Sequence, residues 1–232
     1  MTTKAAQILV VAPHPDDAEF GAAGTIARWA QEGKEIVYLI CTNGDKGTSD
    51  PKMTPAKLAK IREKEQRAAA NVLGVREVIF LRYPDQGLED TPGFRKDIVR
   101  AIRQFKPDIV ATCDPYRRYI SHRDHRIGGQ VTLDAIYPTA RDLLAFPDLV
   151  EQGFLPHKVK EVFLWGSEKP NFYSDVTATF ELKLAALYCH KSQIGNNPSP
   201  EFIERIKQRC ETQAEGSGCE LAEAFYRFEL SY

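Results

Sequence analysis

The residues best suited to carry chemistry lie in two short polar segments, far apart along the chain. His14 and Asp17 are three residues apart directly after an apolar run, with Asp16 between them. Zinc accepts both a neutral imidazole and a carboxylate as ligands, so this segment could bind a cation. The alternative is that Asp16 or Asp17 merely caps a helix. The second segment repeats the spacing with His122 and His125, so the two predict a metal site if the fold joins them.

The first segment lacks the pattern of a dinucleotide-binding turn. Such a turn carries G-x-G-x-x-G directly after a strand, so that the backbone can approach the pyrophosphate. Here an imidazole and two carboxylates take that place, and Gly21 and Gly24 come later, inside the helix that should follow. A dinucleotide is therefore a poor candidate ligand.

The elements that must position these residues alternate between short apolar runs and amphipathic segments. Four runs are rich in β-branched residues and apolar on both faces, as expected for parallel strands covered by helices. They are residues 8–11, 36–40, 78–81 and 109–111. Helical spacing between them is clearest at Phe94, Ile98, Ala101, Ile102 and Phe105. The order predicts an α/β fold with a Rossmann-like, doubly wound, mostly parallel sheet and helices on both faces.

Strand order decides whether the two polar segments meet. Residues 14–17 follow the first predicted strand and residues 122–125 follow the fourth. Ligands of open α/β sheets bind beyond the carboxyl ends of the strands, and the order 3-2-1-4 makes the first and fourth strands neighbours. Three of the five histidines then lie at one point, which makes a chance pair of surface histidines the less favoured interpretation.

The last third of the chain is less regular. Its pattern predicts a strand at residues 159–165, a helix at 180–190 and a loop at 194–200. Two more helices are predicted at 201–215 and 220–230. We therefore expect a single domain over residues 1–232. Its core would lie at about 6–195, followed by a decorated C-terminal third with a helical appendage at about 196–232.

The composition is that of an ordinary globular chain. Its 232 residues include 31 Lys and Arg against 32 Asp and Glu, a net charge of −1, which gives no electrostatic reason to bind nucleic acid or an anionic membrane. No apolar run reaches the roughly 18 residues that span a bilayer, and the N-terminus does not resemble a signal peptide. Five scattered cysteines without a CxxC pair favour a cytoplasmic location, although Cys210 and Cys219 are close enough in sequence to suggest a disulfide that closes a loop.

Taken together, the two polar segments resemble the LmbE-like (PIG-L) family of zinc-dependent N-deacetylases. Residues 14–17, His-Pro-Asp-Asp, are similar to its first motif; residues 122–125 are similar to its second, usually His-Pro-Asp-His, so Arg123 is a departure. Further similar segments lie at residues 19–25, 42–47, 62–65, 69–74, 83–87 and 190–193. The resemblance covers roughly residues 6–195.

The resemblance implies a role for each residue of the two segments. His14, Asp17 and His125 would bind one zinc ion per chain and leave a coordination position for water, although Fe²⁺ or Co²⁺ could replace zinc. Asp16 would act as general base, and His122 would stabilise the oxyanion and could act as acid. The reaction implied is removal of the N-acetyl group from an N-acetylglucosamine-type sugar or its conjugate.

The resemblance also implies four substrate-binding candidates: Asp45, Arg62, Asp85 and His190. Each has another interpretation. Asp45 and Asp85 suit turns, Arg62 could pair with a neighbouring glutamate on a solvated helix face, and His190 suits a helix C-terminus. The family tyrosine that helps to polarise the carbonyl has no clear counterpart, because Tyr119 lies at a different spacing from the second segment.

The expected partner is a small N-acetylated amino-sugar substrate, with no nucleic acid and no membrane. The resemblance adds a possible homo-oligomer, hexamers included. Two other classes stay open: a metal-dependent hydrolase of another bond (a phosphoester or another amide) and a non-catalytic Rossmann-like binding module. Two-metal phosphatases need more clustered carboxylates than this chain offers, and a binding module would not need Asp16 beside two ligand-type residues.

Overall fold

The computed structural model describes residues 5–119 and 121–231, which contain one seven-stranded sheet in the order β3-β2-β1-β4-β5-β7-β6. The strands are β1 Ile8–Ala12, β2 Ile36–Thr42, β3 Glu77–Tyr83, β4 Ile109–Cys113, β5 Glu161–Trp165, β6 Phe172–Asp175 and β7 Ala222–Glu229. The first five strands run parallel, and β7 is antiparallel to both of its neighbours. The predicted α/β class with a mostly parallel sheet is confirmed.

Helices cover both faces of this sheet. They are α1 Asp17–Gln31, α2 Pro55–Val72, α3 Pro92–Phe105, α4 Arg123–Asp134, α5 Pro147–Glu151, α6 Phe180–Leu187, α7 Lys191–Ile194 and α8 Pro200–Ala214. The apolar stripe predicted on α3 is buried against one face, together with residues of α4. Residues of α1, α2 and α6 pack on the opposite face. Alternate residues of the central strands therefore enter two separate cores, as doubly wound sheets require.

The neighbouring positions of β1 and β4 confirm the expected 3-2-1-4 order. The two strands pair in parallel register from Ile8 opposite Ile109 to Val11 opposite Thr112. Their carboxyl ends therefore lie side by side, and the polar segment that follows each strand starts from the same edge of the sheet. This pairing brings residues 101 positions apart in the sequence into register.

The helix predicted over residues 220–230 is wrong, because β7 occupies this segment. Alanine, leucine and glutamate favour a helix there, but burial between β5 and β6 overrides this weak preference. The residues from Ala222 to Phe225 are all buried. The segment lies within the sheet and not in a helical appendage, whereas the helix predicted over 201–215 is present as α8.

A buried ion pair ties β7 to the middle of α1. Lys183 of α6 and Glu223 of β7 are almost fully buried, with Nζ 2.6 Å from Oε1. The Glu223 carboxylate also accepts hydrogen bonds from the backbone N–H groups of Gly24 and Thr25, while the Lys183 ammonium donates to two carbonyl oxygens of α1. The C-terminal strand thus helps to hold the helix that follows the first polar segment.

We expect Lys183→Met to lower the free energy of unfolding by about 3–5 kcal/mol, because it leaves the Glu223 carboxylate buried without its cation. Urea unfolding monitored by circular dichroism measures the change. The matched control is Lys207→Met, which removes the half-exposed i,i+4 pair with Glu211 on α8 and should cost no more than about 1 kcal/mol. Equal effects of the two substitutions would contradict a structural role for the buried pair.

Cys210 and Cys219 do not form a disulfide, and all five cysteines are free thiols. Cys210 is buried against α6 and its neighbours. Within residues 5–119 and 121–231, none of the helices combines the length and the apolar character needed to cross a membrane.

Candidate active site

Asp17 is the centre of the site, because its carboxylate lies between two imidazoles. The turn after β1 places His14 so that its backbone N–H donates to Oδ2 of Asp17 at 2.8 Å. The ring Nδ1 of His14 lies 3.0 Å from the same oxygen. Oδ1 of Asp17 lies 3.0 Å from Nε2 of His125, which comes from α4. The two polar segments therefore meet at one half-buried carboxylate.

His122 stands beside this pair at the start of α4. Its ring is 4.6 Å from that of His14, centroid to centroid. Its Nδ1 accepts a hydrogen bond from the backbone N–H of Asp124 at 3.2 Å, so His122 caps the helix that it precedes. In the neutral ring the proton must then be on Nε2. His122 therefore presents an N–H donor away from the helix.

Two further carboxylates lie behind the His14 ring. Its Nε2 is 3.1 Å from Oδ2 of Asp124 and 3.1 Å from Oδ1 of Asp85. Asp124 is fully buried and also accepts the backbone N–H groups of Gln86 and Leu88. A carboxylate on the far nitrogen of a metal-binding histidine fixes its tautomer and orientation. Asp124 is not among the residues predicted for the site, although its place inside the second segment is a signal in the sequence.

The charges of this cluster favour a cation. Burial opposes ionisation of Asp17, but the neighbouring imidazoles hold the pKa of its carboxyl well below the usual range. Burial alone would lower the pKa of His14, yet the Asp17 charge and hydrogen bonds to three carboxylates raise it to about 12. Burial and the charge of His14 lower the pKa of His122. The carboxylates around His14 thus stabilise positive charge there, whether a proton or a metal ion supplies it.

The donor set fits a zinc ion. Ligand atoms around a tetrahedral zinc lie about 3.3 Å apart, close to the two 3.0 Å contacts of Asp17 with His14 and His125. Nitrogens of His14, His122 and His125 also lie within 4.8 Å of one another. A second group, His14 with Asp85 and Asp124, satisfies the same distance. In this second group the Asp124 carboxylate is also engaged by two backbone donors.

Asp16 lies next to the cluster but faces a different partner. Its Oδ2 accepts a hydrogen bond at 3.0 Å from Arg62 of α2. Burial raises the pKa of Asp16 and the Arg62 charge lowers it, leaving it at about 7. Arg62 is itself 4% exposed and donates to the carbonyl oxygens of Pro15 and Gly44. A carboxylate held in this way is suited to exchange a proton.

The predicted substrate residues lie at different depths. Asp45 is half-buried and accepts the backbone N–H of Asp85, while Asp85 reaches His14. Arg62 does not lie on a solvated helix face, because its guanidinium points inward to Asp16. His190 is fully buried, with Nε2 3.4 Å from Oε2 of Glu19. A role of these residues in substrate binding stays a prediction.

A cavity of about 130 Å³ adjoins the cluster. Asp17, His125 and Trp165 are among its lining residues. The Trp165 ring can line the cavity because residue 21 is a glycine: a Cβ at that position would lie 2.4 Å from the ring. A larger cavity of about 490 Å³ lies beyond Asp114. In the described part of the chain its lining includes neither Asp17 nor His125, so we place the chemistry in the smaller one.

Comparison with known proteins identifies the family. Residues 9–136 match the family described as PIG-L: GlcNAc-PI de-N-acetylase. Diacetylchitobiose deacetylase from Thermococcus kodakarensis is 35% identical over 187 residues, covering 81% of this chain and 70% of that protein. A probable N-acetyl-alpha-D-glucosaminyl L-malate deacetylase 2 from Bacillus anthracis is 30% identical over 191 residues, covering 80% of each.

The fold agrees with this assignment. The structure of N,N'-diacetylchitobiose deacetylase from Pyrococcus horikoshii, bound to an inhibitor, superposes with a TM-score of 0.89 at 30% identity. The match covers 97% of this chain and 84% of that one. Sequence, fold and the meeting of the two polar segments agree, and the chain belongs to the PIG-L (GlcNAc-PI de-N-acetylase) family.

Proposed function

We propose that this protein hydrolyses the N-acetyl group of an N-acetylglucosamine-type sugar or its conjugate, with a zinc ion held by His14, Asp17 and His125. The observation that carries the proposal is the Asp17 carboxylate between two imidazoles, with Asp16 free of both. Relatives at 30–35% identity are named a diacetylchitobiose deacetylase and a probable N-acetyl-alpha-D-glucosaminyl L-malate deacetylase 2, which supports this substrate class.

In this proposal Asp16 is the general base, next to the cluster and paired with Arg62. A zinc ion bound at the cluster would lower the pKa of a coordinated water toward about 7 and polarise the amide carbonyl. The Asp16 carboxylate takes the proton from the attacking water, and Arg62 holds it in place for that transfer. The same proton then passes to the departing nitrogen, so that acetate and a free amine result.

His122 supplies a hydrogen bond to the oxyanion. Its Nδ1 accepts the backbone N–H of Asp124, so Nε2–H is free to donate. The ring therefore needs no positive charge for this role, which agrees with the lowered pKa of His122.

The first experiment is a screen of metal-replete protein against N-acetylated sugars. The panel contains N-acetylglucosamine, N,N'-diacetylchitobiose and N-acetylglucosaminyl malate, with phosphomonoesters as the alternative class. We expect release of acetate together with a primary amine, loss of both after chelation, and recovery with zinc. Phosphate release without acetate would favour the phosphoester hydrolase, and zinc-free protein without turnover would favour the binding module.

We expect His122→Ala to retain zinc and to lower kcat by about 10²–10³-fold, because one donor to the oxyanion is lost. Acetate release and metal analysis of the same preparation measure the two effects. The control is His157→Ala, which removes an imidazole bonded to the carbonyl oxygen of Pro107, ahead of the amino end of β4. Loss of zinc in His122→Ala would instead identify His122 as a ligand.

A further inference from the structure

Asp16 has an unusual backbone conformation for a residue with a side chain. Its φ of 87° and ψ of −22° are left-handed, a region that non-glycine residues seldom occupy because Cβ crowds the backbone. Such a conformation persists where the surroundings determine it. The conformation of Asp16 also turns two consecutive carboxylates apart. The Asp17 carboxylate faces the His125 imidazole, whereas the Asp16 carboxylate faces Arg62. What holds Asp16 there is therefore relevant to its proposed role.

Both sides of the peptide bond before Asp16 are held by one face of α2. The carbonyl oxygen of Pro15 accepts a hydrogen bond from Arg62 at 2.6 Å. The N–H of Asp16 donates to Oε1 of Gln66 at 2.9 Å. Arg62 and Gln66 are four residues apart, so they lie one above the other on the helix. The carbonyl of Asp16 accepts from the N–H of Phe20 in α1, and the backbone on both sides of Asp16 is thereby fixed.

A buried carboxylate fixes the Gln66 side chain in turn. Gln66 Nε2 donates to Oε1 of Glu19 at 2.9 Å, and both side chains are fully buried. Because the Asp16 N–H can only donate and the Glu19 carboxylate can only accept, the amide oxygen and nitrogen cannot exchange places. Glu19 belongs to α1, so this bridge connects the residue before the helix with its first turn through α2.

We propose that Gln66 is a positioning residue: held by Glu19, its side-chain oxygen fixes the peptide before Asp16 and keeps the Asp16 carboxylate apart from that of Asp17. This inference rests on the proposed deacetylase function. If the bridge is lost, the peptide is free to turn and the general base samples orientations away from the attacking water. Gln66 itself need not touch the substrate.

A reversal of the bridge tests this positioning role. Gln66→Glu keeps the acceptor for the Asp16 N–H but places two carboxylates against each other. We expect kcat for acetate release to fall by about 10–100-fold, the usual range for a residue that orients a reacting group, with little change in KM. The double variant Gln66→Glu, Glu19→Gln restores the bridge with donor and acceptor exchanged, and should recover kcat to within about 3-fold of the wild-type protein.

The controls separate positioning from stability. Asn71→Asp adds the same charge at an exposed position of α2 and should leave kcat unchanged. Activity is expressed per folded, zinc-loaded chain, so that a loss of fold does not count as a loss of catalysis. Should Gln66→Glu fail to fold, Gln66→Met removes both hydrogen bonds at similar volume and should show the same loss of kcat.

Two results would overturn the inference while leaving the proposed function intact. One is wild-type kcat in folded, zinc-loaded Gln66→Glu or Gln66→Met. The other is a double variant that is folded and zinc-loaded but no more active than Gln66→Glu. A wild-type protein that releases no acetate from any sugar of the panel would instead refute the proposed function, whatever Gln66 does.

Discussion

Replacement of Asp16 by asparagine is expected to lower kcat for acetate release by about 10²–10⁴-fold without loss of the metal. Asparagine has nearly the same shape, and its side-chain oxygen can still accept the hydrogen bond that Arg62 donates to Asp16. What it cannot do is take a proton from water. The effect should therefore appear in kcat, with KM for the sugar within a few-fold of the wild-type value. Steady-state acetate release and metal analysis of the same samples measure it.

Asp50→Asn is the matched control for this change. Asp50 lies on an exposed turn before α2, where it accepts the backbone N–H of Lys52, and its replacement should leave kcat unaltered. Two outcomes would contradict the role given to Asp16. Wild-type kcat in Asp16→Asn would remove it as the base, and a metal-free Asp16→Asn protein would make it a ligand.

The meeting of the two polar segments could be predicted from the sequence because it follows from strand order. The strands before His14 and His122 are short, β-branched and apolar on both faces, a pattern typical of the centre of a parallel sheet. Once β1 and β4 are neighbours, a pair of segments that follow them must share an edge. Because His122 and His125 are only three residues apart, one turn of backbone is enough to bring both imidazoles to this edge.

The network behind the site could not be predicted in the same way. Gln66 is an ordinary helix residue by type, and although Glu19 lies in a segment similar to the family, nothing in the sequence indicates that the two side chains meet. Their contact depends on how the two helices pack over the sheet, which is a tertiary property. The inward orientation of Arg62 is also a tertiary property, because it depends on Gly44 in another part of the chain. Gly44 has a φ of 59° and no Cβ, and it therefore leaves room for the guanidinium.

The error at β7 has a different cause. Its alanines and glutamates are good helix formers, and this preference competes with that of the aromatic residues Phe225, Tyr226 and Phe228. Aromatic residues at this density favour a strand, and pairing with β5 and β6 supplies the burial that decides the matter. The wrong helix prediction also missed a contact behind the site, because the Glu223 carboxylate of this strand accepts hydrogen bonds from the backbone of α1.

Removal of the His125 imidazole is expected to abolish metal binding and, with it, deacetylation. His125→Ala leaves His14 and Asp17 as two of the three proposed ligands, fewer than catalytic zinc sites use. We expect the zinc content to fall from about one ion per chain to background, and activity to fall by about 10³-fold or more, because water activation and oxyanion stabilisation are lost together. Metal analysis after gel filtration and acetate release measure the two effects.

A graded series distinguishes loss of a ligand from general damage at the start of α4. Asp124→Asn should weaken zinc affinity by about 10–100-fold, because it removes the charge that orients His14. Arg126→Ala changes an exposed neighbour of His125 and should leave the zinc content unchanged. Zinc should raise the unfolding temperature of wild-type protein and of Arg126→Ala, since a ligand bound to the folded state stabilises it, but not that of His125→Ala. Stoichiometric zinc in folded His125→Ala, with a normal zinc-dependent shift of Tm, would show that the carboxylate of Asp17 and the remaining histidines bind the ion without His125.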